Sequence, residues 1–311
     1  MIGLGLVATA IVACGLSVVG IEADDVATTS PEGGRTDGGG DVTSPDPLVD
    51  PFEAGIDASP DNCKAACTNG TCDGGWCVIG CDGGAECTNG VTCPPGVPCD
   101  VRCTGADACK SGVDCADATA CNVLCAGEAS CSNDTIRCKG SACQVTCSAK
   151  NACITGIACD AGTCVLRCLG DGSCKNQTVA CNADRCTVEC GVTGKDGSEA
   201  CTAGVQCNAT TSCDVRCLAD NSCKNGPVTA VAGETANIKC AGSSSCVANV
   251  FASAADSGVQ CTKAGACAGG VRCDGGRCAA HCEDVDVRLC CDAGTCIPSE
   301  GNGCHVTQKC P

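Results

Sequence analysis

From Cys72 onward four cysteines recur in one spacing: four or five residues separate the first two, three lead to the third and five to the fourth. A spacer of usually five or six residues follows, carrying Val or Ile two positions before the next cysteine. The first unit is Cys72, Cys77, Cys81 and Cys87, and the second is Cys93, Cys99, Cys103 and Cys109. Next come Cys115, Cys121, Cys125 and Cys131, then Cys138, Cys143, Cys147 and Cys153, then Cys159, Cys164, Cys168 and Cys174. Further units begin at Cys181, Cys207, Cys240 and Cys273, giving nine in all. The early steps are 21 to 23 residues; the later ones lengthen to 26, 33 and 33, which reads as insertions around 191–200, 224–239 and 247–260. A period this short cannot bury a core alone, so successive units must stack or be closed covalently one by one.

Two short segments recur in each period. One is Cys-x-Val-x-Cys, as in Cys99–Cys103, Cys121–Cys125 and Cys213–Cys217. In an extended strand alternate residues share a face, so both cysteines and the central Val point inward together. The other is Val/Ile-x-Cys, as in Val113–Cys115, Ile136–Cys138 and Val179–Cys181. Gly, Asn, Asp, Ser and Ala lie between, residues that suit tight turns. The period therefore reads as two short strands and two turns. The fold class expected is an all-β or irregular disulfide-rich repeat: a narrow β-solenoid of about nine coils, each of ~22 residues and four cysteines, stacked to roughly 40 Å at ordinary strand spacing. A string of small disulfide modules is the alternative. Leucine-rich repeats share the period, but their leucine pattern is absent.

Cysteine usage sets the compartment. With 43 cysteines in 311 residues, the chain is a disulfide scaffold of an oxidising environment rather than a cytosolic thiol protein. A thiolate metal store is the rival reading, yet zinc sites favour C-x2-C pairs, and the sequence contains none. All twenty cysteines from Cys72 to Cys174 are assigned to structural disulfides, their pairing open, since connectivity does not follow from sequence. One pairing is excluded. The cysteines of Cys-x-Val-x-Cys stand about 13 Å apart by strand rise, beyond the roughly 7 Å that a disulfide spans.

The N-terminus differs from the array. Met1 to Ile21 carries no charge, and Ile11-Val12-Ala13-Cys14 reads as a bacterial lipobox that places lipidation on Cys14. An uncleaved anchor and an ordinary cleaved signal are the alternatives, because 21 uncharged residues also reach across a bilayer. Residues 22–62 hold no cysteine, five of the eleven prolines, and one Arg against eleven acids. Such a segment cannot bury enough apolar area to offset its ordering entropy, and it reads as an acidic tether. The expected organisation is a signal peptide over 1–13, a lipid anchor and disordered tether over 14–62, the repeat array over 63–290 and a C-terminal disulfide cap over 291–311. The layout of signal, lipobox-like Cys14, tether and Cys-x-Val-x-Cys units resembles the cysteine-rich repeat surface lipoproteins predicted in myxobacterial genomes. That resemblance implies an extracytoplasmic, outer-membrane or cell-surface lipoprotein, or a secreted one, and implies no activity.

Motifs of chemistry are few. Trp76, Phe52 and Phe251 are the only aromatic residues, which argues against a conventional enzyme core. The net charge of −17 disfavours nucleic acid as a partner. His281 and His305 lie in no catalytic pattern, and neither a P-loop nor H-E-x-x-H occurs. Glu283-Asp284-Val285-Asp286 reads as a solvated acidic turn more readily than as a calcium site. Asn69, Asn133, Asn176 and Asn208 head N-x-Thr sequons and read as turn residues. Thr210 and Thr211 form no ladder of the kind an ice-binding solenoid needs. The function expected is a non-catalytic surface or secreted protein of structural or adhesion type, without catalytic residues, metal ligands or cofactor. It would meet the membrane through its lipid and an unidentified partner in the envelope. A metal- or small-ligand-binding extracellular module is the alternative.

Overall fold

The computed structural model describes residues 59–83, 87–194, 197–283, 285–292, 295–298 and 303–307. Every described residue belongs to one compact unit. The lipobox, Cys14 and the tether up to residue 58 lie outside the described residues.

The described chain is a β-solenoid of about ten turns. Its strands form where the sequence alternates. Val113–Cys115 and Cys121–Cys125 bury every second residue, as the two-residue period of a strand requires. In the middle of the array both segments fuse into single bent strands, Ile136–Cys147, Ile157–Cys168 and Val179–Cys190. The bend falls where alternation lapses, at Lys139, Gly140 and Ser141, all exposed.

Apart from one antiparallel hairpin at the N-terminal end, the strands pair in parallel with the equivalent strands of the next turn, like residue against like. Cys121, Val123 and Cys125 stand opposite Cys143, Val145 and Cys147, and these oppose Cys164, Leu166 and Cys168. The result is two apolar ladders. One runs from Ile79 through Val101, Val123, Val145, Leu166, Val188, Val215 and Ile238 to Val259, with none more than 4 % exposed. The other includes Ile136, Ile157, Val179, Val205, Val228, Val250, Val271 and Leu289. Burying each such side chain contributes about 1.5–3 kcal/mol as an upper estimate.

Two disulfides close each complete turn. The first joins cysteines one and two, as in Cys115–Cys121, and the second joins cysteines three and four, as in Cys125–Cys131. Second and third cysteines are not joined to each other in any described turn, as strand rise requires. The fourth cysteine sits at a corner in the left-handed region, with φ of 48° at Cys109, 52° at Cys131 and 52° at Cys153. That conformation is unfavourable for a non-glycine residue, and here the bridge to the third cysteine holds it. Three residues on, Gly112 adopts φ 87° and donates its N–H to the Cys109 carbonyl, turning the chain into the next strand. At Gly127 the limit is space: a Cβ there would stand 1.9 Å from the carbonyl oxygen of Gly105 in the turn below.

The turn count exceeds nine because two turns lack the first bridge. Ala230 and Ala236 stand opposite Cys207 and Cys213, and Ala252 and Ser257 opposite Cys273 and Cys278. Cys240 is therefore the third cysteine of its turn, aligned with Cys217, and begins no unit. The segments expected as insertions at 224–239 and 247–260 contain the strands Val228–Val231, Thr235–Cys240 and Val250–Cys261. Small apolar residues keep the inward positions, so the strands persist where a count of cysteines loses the phase. The insertion near 191–200 is real: Cys190–Cys201 spans 11 residues, against 6 for Cys168–Cys174.

The ends differ from the middle. A helix, Pro60–Ala66, starts with Pro at its first turn and is tied down by Cys63–Cys72 and Cys67–Cys77. Cys72 and Cys77 face each other across an antiparallel hairpin of Thr71–Asp73 and Trp76–Cys81 but are bridged to the helix, unlike the equivalent pairs above. At the other end the parallel register continues past Cys290. Cys291 and Cys296 oppose Cys273 and Cys278 and bond to each other, and Cys282–Cys304 fastens the strand Cys304–Thr307.

Candidate functional site

The groups richest in chemistry lie inside the solenoid, and they are sulfur. Strand pairing stacks the first bridges in one column and the second bridges in another. Cys93 Sγ and Cys115 Sγ, in first bridges of neighbouring turns, are 3.3 Å apart. Sets of three sulfurs gather within 4.8 Å, among them Cys103, Cys125 and Cys131, and Cys125, Cys147 and Cys153. As thiolates these sets would suit a soft metal ion. Every described cysteine is instead disulfide-bonded, so the lone pairs a metal would use belong to sulfurs without charge.

The outer face carries paired charge. The residue before each third cysteine points outward, and in three successive turns it is Arg167, Glu189 and Arg216. Glu189 is 8 % exposed. Burial raises its pKa above the ordinary carboxylate value, the Arg167 and Arg216 guanidinium groups oppose that rise, and Asp214 adds to it. Arg167 Nε lies 3.8 Å from Glu189 Oε2, an ion pair longer than a hydrogen bond. Arg216 and Arg102 each fork onto the aspartate two residues before them, Asp214 and Asp100, at 2.7 Å. Asn122 Nδ2 donates to Asp100 Oδ1 at 2.9 Å, linking adjacent turns. Opposite charges on facing strands reinforce the parallel register.

A shallow trough of about 560 Å³ runs along the bends of four turns, lined by Asp160, Asn182, Asp184, Asn208 and Thr210 over Ala161, Ala183 and Ala209. Its polar groups bond along the stack: Asn208 Nδ2 donates to Asn182 Oδ1 at 3.0 Å, and Thr210 Oγ1 to Asp184 Oδ1 at 2.6 Å. They form a ladder and do not converge on a point.

The residues singled out in the sequence are spread over these surfaces and do not gather in one place. His281 is exposed, and His305 Nε2 stands 3.4 Å from Asp286 Oδ1 in an exposed pair. Glu283 is exposed as well, while Asp284 lies outside the described residues. Asn69, Asn133 and Asn176 are exposed, and Asn208 belongs to the trough. Thr210 and Thr211 lie in the strand Val205–Cys217. Cys72 to Cys174 all lie in bridges, with Cys72 and Cys77 bonded to cysteines that precede the repeat. The Arg–Glu–Arg ladder was missed, although its signal is present as Arg-Cys, Glu-Cys and Arg-Cys at one repeat position. Among the described residues no helix is long and apolar enough to cross a membrane. Comparison with family models, curated proteins and solved structures gives no match to this chain.

Proposed function

We propose that the chain is a non-catalytic structural or adhesion-type protein of the cell exterior, anchored through a lipid on Cys14 and held off the membrane by its acidic tether. One observation carries the reading: the residue type that dominates the chain is consumed in bridges that close single turns. Extensive disulfides fit an extracytoplasmic location. The outward charges support the same reading, since Arg167, Glu189, Arg216 and Asp214 engage one another along the rod. A protein built this way offers persistence and reach: ten turns at parallel-strand spacing make a rod of roughly 50 Å.

Mass spectrometry of the membrane-extracted protein, with thiol titration of the native chain, tests this function. The expected result is a lipid-modified Cys14 at the mature N-terminus and a free-thiol content near zero. A mature chain that retains residues 1–13, an unmodified Cys14, or many titratable thiols in the native protein would overturn it.

A further inference from the structure

The second-bridge column has a property that no single bridge has. Cys81, Cys87 and Cys109 form one sulfur set within 4.8 Å, Cys103, Cys125 and Cys131 the next, and Cys125, Cys147 and Cys153 a third. Cys103 is bonded to Cys109, so four consecutive bridges are linked sulfur to sulfur from Cys81–Cys87 to Cys147–Cys153. Strand register continues the column, placing Cys147, Cys168, Cys190, Cys217, Cys240 and Cys261 in one line. Its inner members are buried to 0 %, whereas Cys87, at the N-terminal end, is half-buried.

We propose that this column is an internal path for thiol–disulfide exchange: once one bridge loses a partner cysteine, or a small thiol opens it by forming a mixed disulfide with one of its sulfurs, the free thiol released moves from turn to turn and reaches solvent at Cys87. Thiolate attack on a neighbouring disulfide needs a sulfur within reach and a bond it can approach. Take a chain in which Cys125 is free. Its thiol gives up a proton to solvent base, and the thiolate attacks Cys153 Sγ. A Cys125–Cys153 bond forms, the Cys147–Cys153 bond breaks, and the electron pair leaves on Cys147 Sγ, which takes a proton back. One S–S bond is lost and one gained, so the step needs neither oxidant nor reductant. Cys147 then faces the bridge of the next turn, and attack of Cys125 on Cys103 starts the same walk toward Cys87. Burial disfavours the thiolate, so the walk is slow and quickens with pH.

The first-bridge column supplies the contrast. Its sulfurs also touch, at 3.3 Å between Cys93 and Cys115, but the column stops at Ala230 and Ala236 and again at Ala252 and Ser257. Two turns without sulfur put Cys207 and Cys273 about 14 Å apart by strand spacing, out of exchange range.

The test uses the full chain with Cys131→Ser, which leaves Cys125 unpaired. After timed incubation at pH 8 the sample is quenched in acid, denatured, labelled with a maleimide and mapped by non-reducing mass spectrometry. Label is expected to spread from Cys125 to other members of the second-bridge column, Cys87 among them, with bridges between turns such as Cys125–Cys153. The rate should rise about tenfold per pH unit while the thiol stays mostly protonated, and it should not depend on protein concentration. Label confined to Cys125, or a rate proportional to concentration, would overturn the proposal. In the companion variant Cys121→Ser, label should leave Cys115 yet never reach Cys273 or Cys278; its arrival there would show exchange without contact and sink the column mechanism. If Cys131→Ser does not accumulate, the wild-type chain opened with one equivalent of dithiothreitol gives the same reading. Label must then spread with time along the column, and label fixed on the pair first opened overturns the idea.

Discussion

The turns from Val113 to Cys174 carry two bridges each, whereas the turns from Val228 to Cys267 carry only the second. Their backbones are in the same register nonetheless. Val205, Val228, Val250 and Val271 continue one ladder without a shift, and Ile238 and Val259 continue the other. Ala230, Ala236 and Ala252 are as buried as the cysteines they replace, at 0 % each. The difference separates two jobs that the cysteines elsewhere perform together. Parallel hydrogen bonding and the Val/Ile ladders fix where each strand lies. The bridges restrict the unfolded chain and hold the left-handed corners.

Complete reduction should break the comparison hardest. Removing every bridge removes about 2 kcal/mol per short loop, though not additively, from a chain with three aromatic residues. Both regions should lose protease resistance and strand circular dichroism together. If the segment 228–261 kept its resistance under reduction, its apolar ladder would be self-sufficient.

Next in size are changes to the shared ladders. Ile238→Ala, in a turn with one bridge, should cost about 2–5 kcal/mol in denaturant with disulfides intact. Val145→Ala, in a turn with two, removes less apolar surface and should cost about 2 kcal/mol. A clearly larger loss for Val145→Ala than for Ile238→Ala would mean that the bridges, and not the ladder, set local stability. A bridge restored in the poor region works the other way. Ala230→Cys with Ala236→Cys places a pair in the register of Cys207 and Cys213, and should add about 2 kcal/mol without a free thiol. Two persistent thiols in that variant would show that the strand faces elsewhere.

The fold was legible where residues alternate. Cys-x-Val-x-Cys and Val/Ile-x-Cys became strands because cysteine and valine share one small, inward-facing role. The phase was lost at Ala230 and Ala252 because an inward alanine resembles a turn residue in a chain so rich in small ones. Val228 and Val250, two positions ahead, carried the missing signal. Neither the tie of Cys72 and Cys77 to the helix nor the burial of Glu189 could be read, since both depend on which turns end up adjacent.

The smallest effect concerns that glutamate. Its pKa is raised in the folded state, so the folded chain holds the proton more tightly. Its contribution to stability is greatest below the ordinary carboxylate pKa and falls as pH rises through the elevated value. Glu189→Gln should therefore match the wild type within about 1 kcal/mol at neutral pH, gaining relative to it as pH rises from 4 to 7. A relative loss over that range would mean that the arginines outweigh burial.

Amide hydrogen exchange of the oxidised protein tests most directly whether ten turns share one register. The amides of Val228–Val231, Thr235–Cys240 and Val250–Cys261 should be protected to within about tenfold of those of Ile157–Cys168, as strands of one cooperative stack. Rapid, loop-like exchange across 228–260 would contradict the account, returning that stretch to insertions between cysteine units and the solenoid to a broken stack.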